Sequence, residues 1–203
     1  WVDMTDPAAV AAAIRPATKL IWIETPTNPL LKITDIAAIV AIARQHKVLT
    51  CVDNTFATPC FQRPLELGVD VVMHSATKYL GGHGTTMGGV IVESGKFPWG
   101  NGKFPEFTTP SPGYHGVIFH ETFGDFGFTM KTRAVGLRDL GPTMAPMNAF
   151  LILTGIETLH LRMERHVANA QAVAEFLERH PAVSWVSYAG LKSSPYHKLA
   201  KKN

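Results

Sequence analysis

The run His74-Ser75-Ala76-Thr77-Lys78-Tyr79-Leu80-Gly81-Gly82-His83-Gly84 concentrates the groups best able to do chemistry. Most lysines are solvated surface residues. Lys78, however, follows an apolar run, is preceded by two hydroxyl side chains and is followed at once by glycines. At the end of a buried strand its amine is expected to be partly desolvated, which favours the neutral, nucleophilic form. Ser75 and Thr77 alternate about Ala76, so their hydroxyls can face one way and donate to a phosphate, or serve a turn. Asp53 closes a second apolar run, 48–52, where an unpaired carboxylate is costly. It can cap the turn Asp53-Asn54-Thr55, or stand beside Lys78 on a neighbouring strand end. A lysine that can hold an aldehyde as a Schiff base, a carboxylate that keeps a pyridine nitrogen protonated and hydroxyls that hold a phosphate suggest a pyridoxal 5'-phosphate site.

Ser75-Ala76-Thr77-Lys78 also matches the S-x-x-K of penicillin-recognising serine acyl enzymes. That chemistry wants the serine at a helix start with the lysine one turn on. Gly81, Gly82 and Gly84 discourage a helix, no Ser-Asp-Asn occurs, and Lys131-Thr132-Arg133 lacks the glycine of the third element. The acyl-enzyme reading is set aside. His83, His115 and His120 match no metal spacing and are read as structural or substrate-loop residues. Cys51 and Cys60 cannot build a disulfide scaffold or complete a four-thiolate site, and read as core or loop thiols.

The elements that must position these groups alternate along the chain. Thr5-Asp6-Pro7 starts a helix that runs to Ile14, with Thr5 or Asp6 as cap and Pro7 in the first turn. A buried strand over 20–23 ends in Glu24, and the two prolines of Thr25-Pro26-Thr27-Asn28-Pro29 force a loop. Thr34 or Asp35 opens an amphipathic helix to about His46, with Ile36, Ile39, Val40 and Ala43 on one face. Strands are expected over 48–52 and 69–73, with a short helical segment over 64–67 between them, and another strand over 88–92. Such βαβαβ alternation with continuously apolar strands argues a parallel sheet covered on both faces. Parallel strands place Glu24, Asp53 and the residues after Met73 at one carboxyl edge, where ligands bind in open α/β sheets. Residues 95–127 are rich in glycine, proline and aromatics with little periodicity, and read as a long irregular insertion. Helices follow over 147–153 and 156–178, with Gly155 as a break or a close packing contact, and a final strand over 183–188.

Bulk composition narrows the field. With 203 residues, 46% hydrophobic and 17% charged, the chain can bury a sizeable core and is not disordered. A net charge of +3, scattered along the chain, gives no nucleic-acid groove, so no nucleic-acid partner is expected. No apolar run reaches the roughly 20 residues of a membrane span, and no signal peptide precedes the first helix. No membrane partner is therefore expected, and a cytoplasmic location is. The start at Trp1 and the end at Asn203, soon after an expected strand, read as a fragment.

Three segments, in order, carry a family resemblance: Glu24-Thr25-Pro26-Thr27-Asn28-Pro29, Val52-Asp53-Asn54-Thr55-Phe56-Ala57-Thr58-Pro59 and Ser75-Ala76-Thr77-Lys78-Tyr79-Leu80-Gly81-Gly82-His83. They resemble the cysteine/methionine-metabolism family of pyridoxal-phosphate enzymes. The likeness continues through Pro146-Met147-Asn148-Ala149-Phe150 and Leu161-Arg162-Met163-Glu164-Arg165-His166, so it covers nearly the whole chain. It implies the aspartate-aminotransferase-like (type I) fold, an α/β class with a mainly parallel sheet flanked by helices. Residues 1–150 would be a partial cofactor-binding large domain, and 151–203 the long helix and start of a C-terminal domain. It implies Lys78 as Schiff-base lysine and proton shuttle, Asp53 as pyridinium partner, and Ser75 and Thr77 as phosphate ligands. Asn28 would lie near the cofactor's phenolic oxygen, and Thr55 in the matching cofactor loop. A homo-oligomer, a dimer of dimers sharing active sites, is also implied.

Within the family, the insertion over 95–132 resembles that of O-acetylhomoserine sulfhydrylases, whereas cystathionine synthases and γ-lyases are shorter there. The reaction implied is γ-replacement: O-acetyl-L-homoserine plus sulfide or a thiol gives L-homocysteine or methionine plus acetate. A γ-lyase or cystathionine-forming enzyme is the alternative within the family. A catalytically silent cofactor-binding fragment is the alternative outside it, because the family's N-terminal cofactor contacts and C-terminal substrate arginine have no counterpart in these residues.

Overall fold

The computed structural model describes residues 1–202. Helix α1, Pro7–Ala13, is capped by Asp6, whose carboxylate accepts from the Ala8 N–H. Strand β1, Leu20–Glu24, turns Ile21 and Ile23 inward and leaves Leu20 and Trp22 exposed, the alternation a pleated strand imposes. Helix α2, Ile36–Gln45, is capped by Asp35 and buries the expected face of Ile36, Ile39, Val40 and Ala43. Strand β2, Leu49–Asp53, is buried at its first four residues. Helix α3 is a single turn, Thr58–Phe61, and strands β3, Val71–Ser75, and β4, Gly89–Glu93, complete a four-stranded sheet in sequence order.

Strands β1, β2 and β3 are parallel, and the register sets Glu24 opposite Asp53 and Asp53 opposite Met73. The expected carboxyl edge is therefore real. Strand β4, expected only as a further strand of a mainly parallel sheet, pairs antiparallel with β3, Ser75 opposite Gly89. The chain reaches it through the glycine-rich loop after Lys78 and never crosses back over the sheet, so an antiparallel partner is the accessible one.

Other expectations are corrected. The third strand lies two residues later than 69–73, which puts Ser75 on the strand itself. Residues 64–68 form hydrogen-bonded turns rather than a helix, Leu67 N–H donating to Pro64 and Val69 N–H to the same carbonyl. The one helical turn nearby, α3, lies earlier. Residues 183–188 form no strand, because no sheet edge lies alongside to supply ladder partners among the described residues.

The two faces of the sheet are covered differently. On one face Val52, Val72, Ile21 and Ile23 pack with Val10 of α1 and the apolar stripe of α2. On the other, Leu49, Cys51 and Val71 pack beneath Trp99, Phe104, Phe107 and Phe119. The expected irregular insertion is thus a packed module. It holds one-turn helices α4, Pro105–Thr108, and α5, Phe119–Phe123. A continuous helical stretch follows: α6, Gly127–Lys131, a π-helical segment, Thr132–Leu137, and α7, Arg138–Leu140. Beyond it, α8 spans Pro146–Glu157 and α9 Leu159–Glu178, with a last turn α10 at His197–Ala200. The break between the long helices falls at Thr158, and Gly155 is a close contact instead: a Cβ there would sit 2.0 Å from the Gly81 carbonyl oxygen. Among the described residues no helix is long and apolar enough to cross a membrane.

Candidate active site

The carboxyl ends of β1, β2 and β3 open into one cleft of about 600 Å³. Its lining includes every residue singled out from the sequence: Asn28, Asp53, Thr55, Ser75, Thr77 and Lys78. Chain positions 50 residues apart converge here because the strands are parallel and in register.

Asp53 takes both readings the sequence left open. Its Oδ1 accepts from the Thr55 N–H at 3.0 Å, closing an Asx turn, and the side chain also faces the cleft. The Thr55 hydroxyl then accepts from the Ser75 N–H at 2.8 Å, so the ends of β2 and β3 are tied through one side chain. Glu24, one strand over, accepts from the Asn28 N–H and so holds the proline-bounded loop at the rim. Burial, and then the charge of Asp53, hold the Glu24 carboxyl above the usual range.

Beneath this layer a buried amide network fixes the loops. Gln62 Nε2 donates to the Thr25 carbonyl at 3.0 Å and to Asn54 Oδ1 at 2.8 Å, while Asn54 Nδ2 donates to the Gln62 carbonyl at 2.8 Å. The Thr34 N–H donates to the Thr25 hydroxyl at 3.0 Å. Every polar atom named here is spent inside the protein, which is what a buried polar floor requires.

Lys78 stands on a turn anchored by Gly81 N–H to Ala76 carbonyl at 2.9 Å and Gly82 N–H to Lys78 carbonyl at 2.8 Å. Gly82 has φ +73, a conformation that glycine adopts without cost. The absence of a helix here removes the geometry the acyl-enzyme motif needs. The expected desolvation of Lys78 is not supplied by these residues, since Lys78 is exposed at the cleft. Thr77 lines the cleft with its hydroxyl engaged elsewhere. Its hydroxyl contacts both the Gly88 carbonyl, at 3.3 Å, and the Gly88 N–H, at 3.1 Å, so its one proton is directed at backbone rather than at the cleft.

Arg162, His166, Tyr79 and Phe56 also line the cleft. In the sequence, Arg162 and His166 stand out only through the family resemblance. Their i,i+4 spacing on α9 was the available signal, since it puts both on one helix face. The Tyr79 ring packs against His166 at 5.5 Å between centroids.

Of the two thiols, Cys51 is buried under the insertion, and burial followed by the charge of Asp53 pushes it up to about 11; Cys60 is exposed. Neither lines the cleft. Among the described residues no cluster of three or more His, Cys, Asp or Glu side chains could hold a metal.

An exposed amine, a carboxylate one strand away and hydroxyls between them match the donor set that pyridoxal phosphate requires. A parallel-stranded α/β sheet with this set at its carboxyl edge defines a cofactor-binding enzyme domain. The chain belongs to the Cys/Met metabolism PLP-dependent enzyme family, whose model matches residues 1–203. It is 48% identical to the O-acetyl-L-homoserine sulfhydrylase of Leptospira meyeri and 44% identical to the L-methionine gamma-lyase of Treponema denticola. Each match covers 100% of this chain, and 48% and 43% of those proteins respectively. The crystal structure of a Campylobacter jejuni protein, provisionally assigned as O-acetylhomoserine (thiol)-lyase, superposes with TM-score 0.93 at 40% identity. That match covers 99% of this chain and 50% of the crystallised one, which carries N'-pyridoxyl-lysine-5'-monophosphate. The type I fold expected from the motifs is thereby borne out. The chain spans about half the length of the relatives it matches.

Proposed function

We propose that the protein to which these residues belong catalyses γ-replacement, converting O-acetyl-L-homoserine and sulfide, or a thiol, into L-homocysteine, or its thioether, and acetate. The observation that supports the reading is the convergence of Lys78, Asp53, Ser75, Thr55 and Asn28 on one cleft. When bound, pyridoxal phosphate supplies an aldehyde and an electron-accepting ring. Lys78 would hold the aldehyde and, when its amine is free, carry protons between Cα and Cβ of the amino acid. The Asp53 carboxylate would keep the ring nitrogen protonated, its orientation fixed by the Thr55 N–H. Ser75 and the turn amides would hold the phosphate, with Thr77 contributing after its hydroxyl turns from Gly88. Asn28, presented by Glu24, would face the ring's oxygen. Across the reaction the Cγ–O bond to acetate breaks and a Cγ–S bond forms.

The lyase relative matches across the insertion as well, so the insertion does not separate the two chemistries. The higher identity to a sulfhydrylase favours replacement. A cytoplasmic homo-oligomer is part of the same proposal, and an exposed Lys78 is consistent with further chain covering the cleft.

The test treats the full chain with pyridoxal phosphate and borohydride, maps the modified peptide, and then supplies O-acetyl-L-homoserine with and without sulfide. Label at Lys78 and sulfide-dependent homocysteine are expected. Reproducible label at another lysine rejects the site. Sulfide-independent 2-oxobutanoate and ammonia would replace the transferase reading by a lyase.

A further inference from the structure

Arg162 reaches from the first turns of α9 to the turn that carries Lys78. Its Nη1 donates to the Tyr79 carbonyl at 2.9 Å, and its Nη2 to the Gly155 carbonyl at 2.7 Å and to the Leu80 carbonyl at 3.4 Å. Its Nε donates to the Thr158 hydroxyl at 3.2 Å. One guanidinium therefore joins the lysine turn, the last turn of α8 and the start of α9. The planar fork makes this possible, because its donors diverge in fixed directions that a lysine ammonium cannot reproduce. The Gly155 carbonyl belongs to the end of α8, where a cation is favoured, and it also accepts from the Thr158 N–H and hydroxyl at 3.4 Å each.

The backbone is shaped around this contact. A Cβ on Gly82 would fall 2.3 Å from Arg162 Nη1, and one on Gly155 would fall 2.0 Å from the Gly81 carbonyl oxygen. Glycine at both positions lets α8 and the guanidinium approach the turn on two sides. The first two carbonyls after Lys78 are thus held from outside the turn, while Ala76, just before it, is buried with Leu80, Ile152 and Met163. Apart from these contacts the turn rests on its own short backbone bonds, on β3 and on the pairing of Thr77 with Gly88.

We propose that Arg162 is a positioning residue for Lys78, fixing the carbonyls of Tyr79 and Leu80 so that the lysine's amine is presented to the cleft in one orientation. The proposal rests on the reading of Lys78 as the cofactor lysine. Arg162 acts through the turn and transfers no proton itself. Its effect falls on how well Lys78 captures the aldehyde and on the rigidity of residues 79–82.

The experiment compares the full chain with its Arg162→Lys and Thr158→Val variants. Hydrogen exchange of residues 79–82 is followed beside that of β1 and β2, and pyridoxal phosphate is titrated by its visible absorption and by borohydride trapping at Lys78. Arg162→Lys is expected to speed exchange at 79–82 about tenfold, to leave β1 and β2 unchanged, and to weaken cofactor capture about tenfold. Thr158→Val, which removes the Nε partner together with the hydroxyl's own 3.4 Å bond to the Gly155 carbonyl, should shift both in the same direction by about twofold to threefold. Wild-type exchange and capture in Arg162→Lys would overturn the proposal, as would a uniform rise in exchange across the sheet, the mark of a general stabiliser. If Arg162→Lys does not fold, Thr158→Val decides on the same two readouts. No label at Lys78 in the wild type would reject the cofactor reading, and the exchange data would still report whether Arg162 holds the turn.

Discussion

The cleft and the aromatic module lie around the same sheet and are held by different forces. The cleft is a lattice of directed bonds: Thr55 accepts from Ser75, Asp53 from Thr55, and Gln62 bridges Thr25 and Asn54. The module is held by ring contacts, with Trp99 stacked on Phe107 at 4.2 Å and edge-on to Phe97 at 4.7 Å and Phe104 at 5.2 Å. Lys131 lies over the Phe119 ring at 4.8 Å and over Phe107 at 5.6 Å. Polar bonds specify where each group points, whereas apolar packing supplies free energy in proportion to buried area with little directional demand. The molecule keeps geometry at the cleft and bulk stabilisation in the module.

That division can be broken in three ways. The largest effect is expected from Lys78→Ala, which should lower turnover by at least about a thousandfold. Because the side chain is exposed, the thermal midpoint should stay within what a surface change of about 0.5 kcal/mol produces. Steady-state rates and calorimetry on one preparation check both halves. A large stability loss would mean that the lysine also supports the fold.

Trp99→Ala should do the reverse. Removing a side chain that is 4% exposed from the centre of the ring cluster should cost about 3–5 kcal/mol in denaturant melts. Cofactor capture by the folded fraction should be unchanged. Impaired capture in fully folded protein would show that the module also shapes the cleft.

The smallest effect concerns His74, on the strand that borders both regions. It is 6% exposed with no partner at Nδ1, and burial holds its imidazole below the usual range, although the Asp53 charge and the Asn54 backbone oppose this. The unfolded chain binds the proton more readily, so the stability from neutral His74 is present above about pH 6.5 and lost as pH falls through the lower folded value. Urea midpoints should fall between pH 7.5 and pH 5, and His74→Gln should flatten that slope. An unchanged slope would assign the pH dependence to other groups.

Much of the cleft was readable in advance. Pro26 and Pro29 could only sit in a loop, the apolar runs ending at Glu24 and Asp53 read as strands, of which the second is buried and the first only on one face, and glycines after Lys78 could only turn. The insertion was not readable as structure, because Trp99, Phe104, Phe107 and Phe119 follow neither a helical nor a strand period. Their order comes from meeting each other over Leu49, Cys51 and Val71. The strand expected over 183–188 failed for a related reason: a strand exists only where a neighbour completes its ladder, and Trp185 is exposed instead.

The sequence by itself determined which residues could do chemistry, the order of strands and helices, and the single sheet edge where Asn28, Asp53 and Lys78 had to meet. Local propensity and parallel topology suffice for that. Only the tertiary structure decided that β4 runs antiparallel, that Thr77 turns its hydroxyl to Gly88, and that Arg162 grips the lysine turn across 83 positions of chain. These depend on distances between segments remote in sequence, and a hydrogen bond exists only where folding brings its two ends within reach.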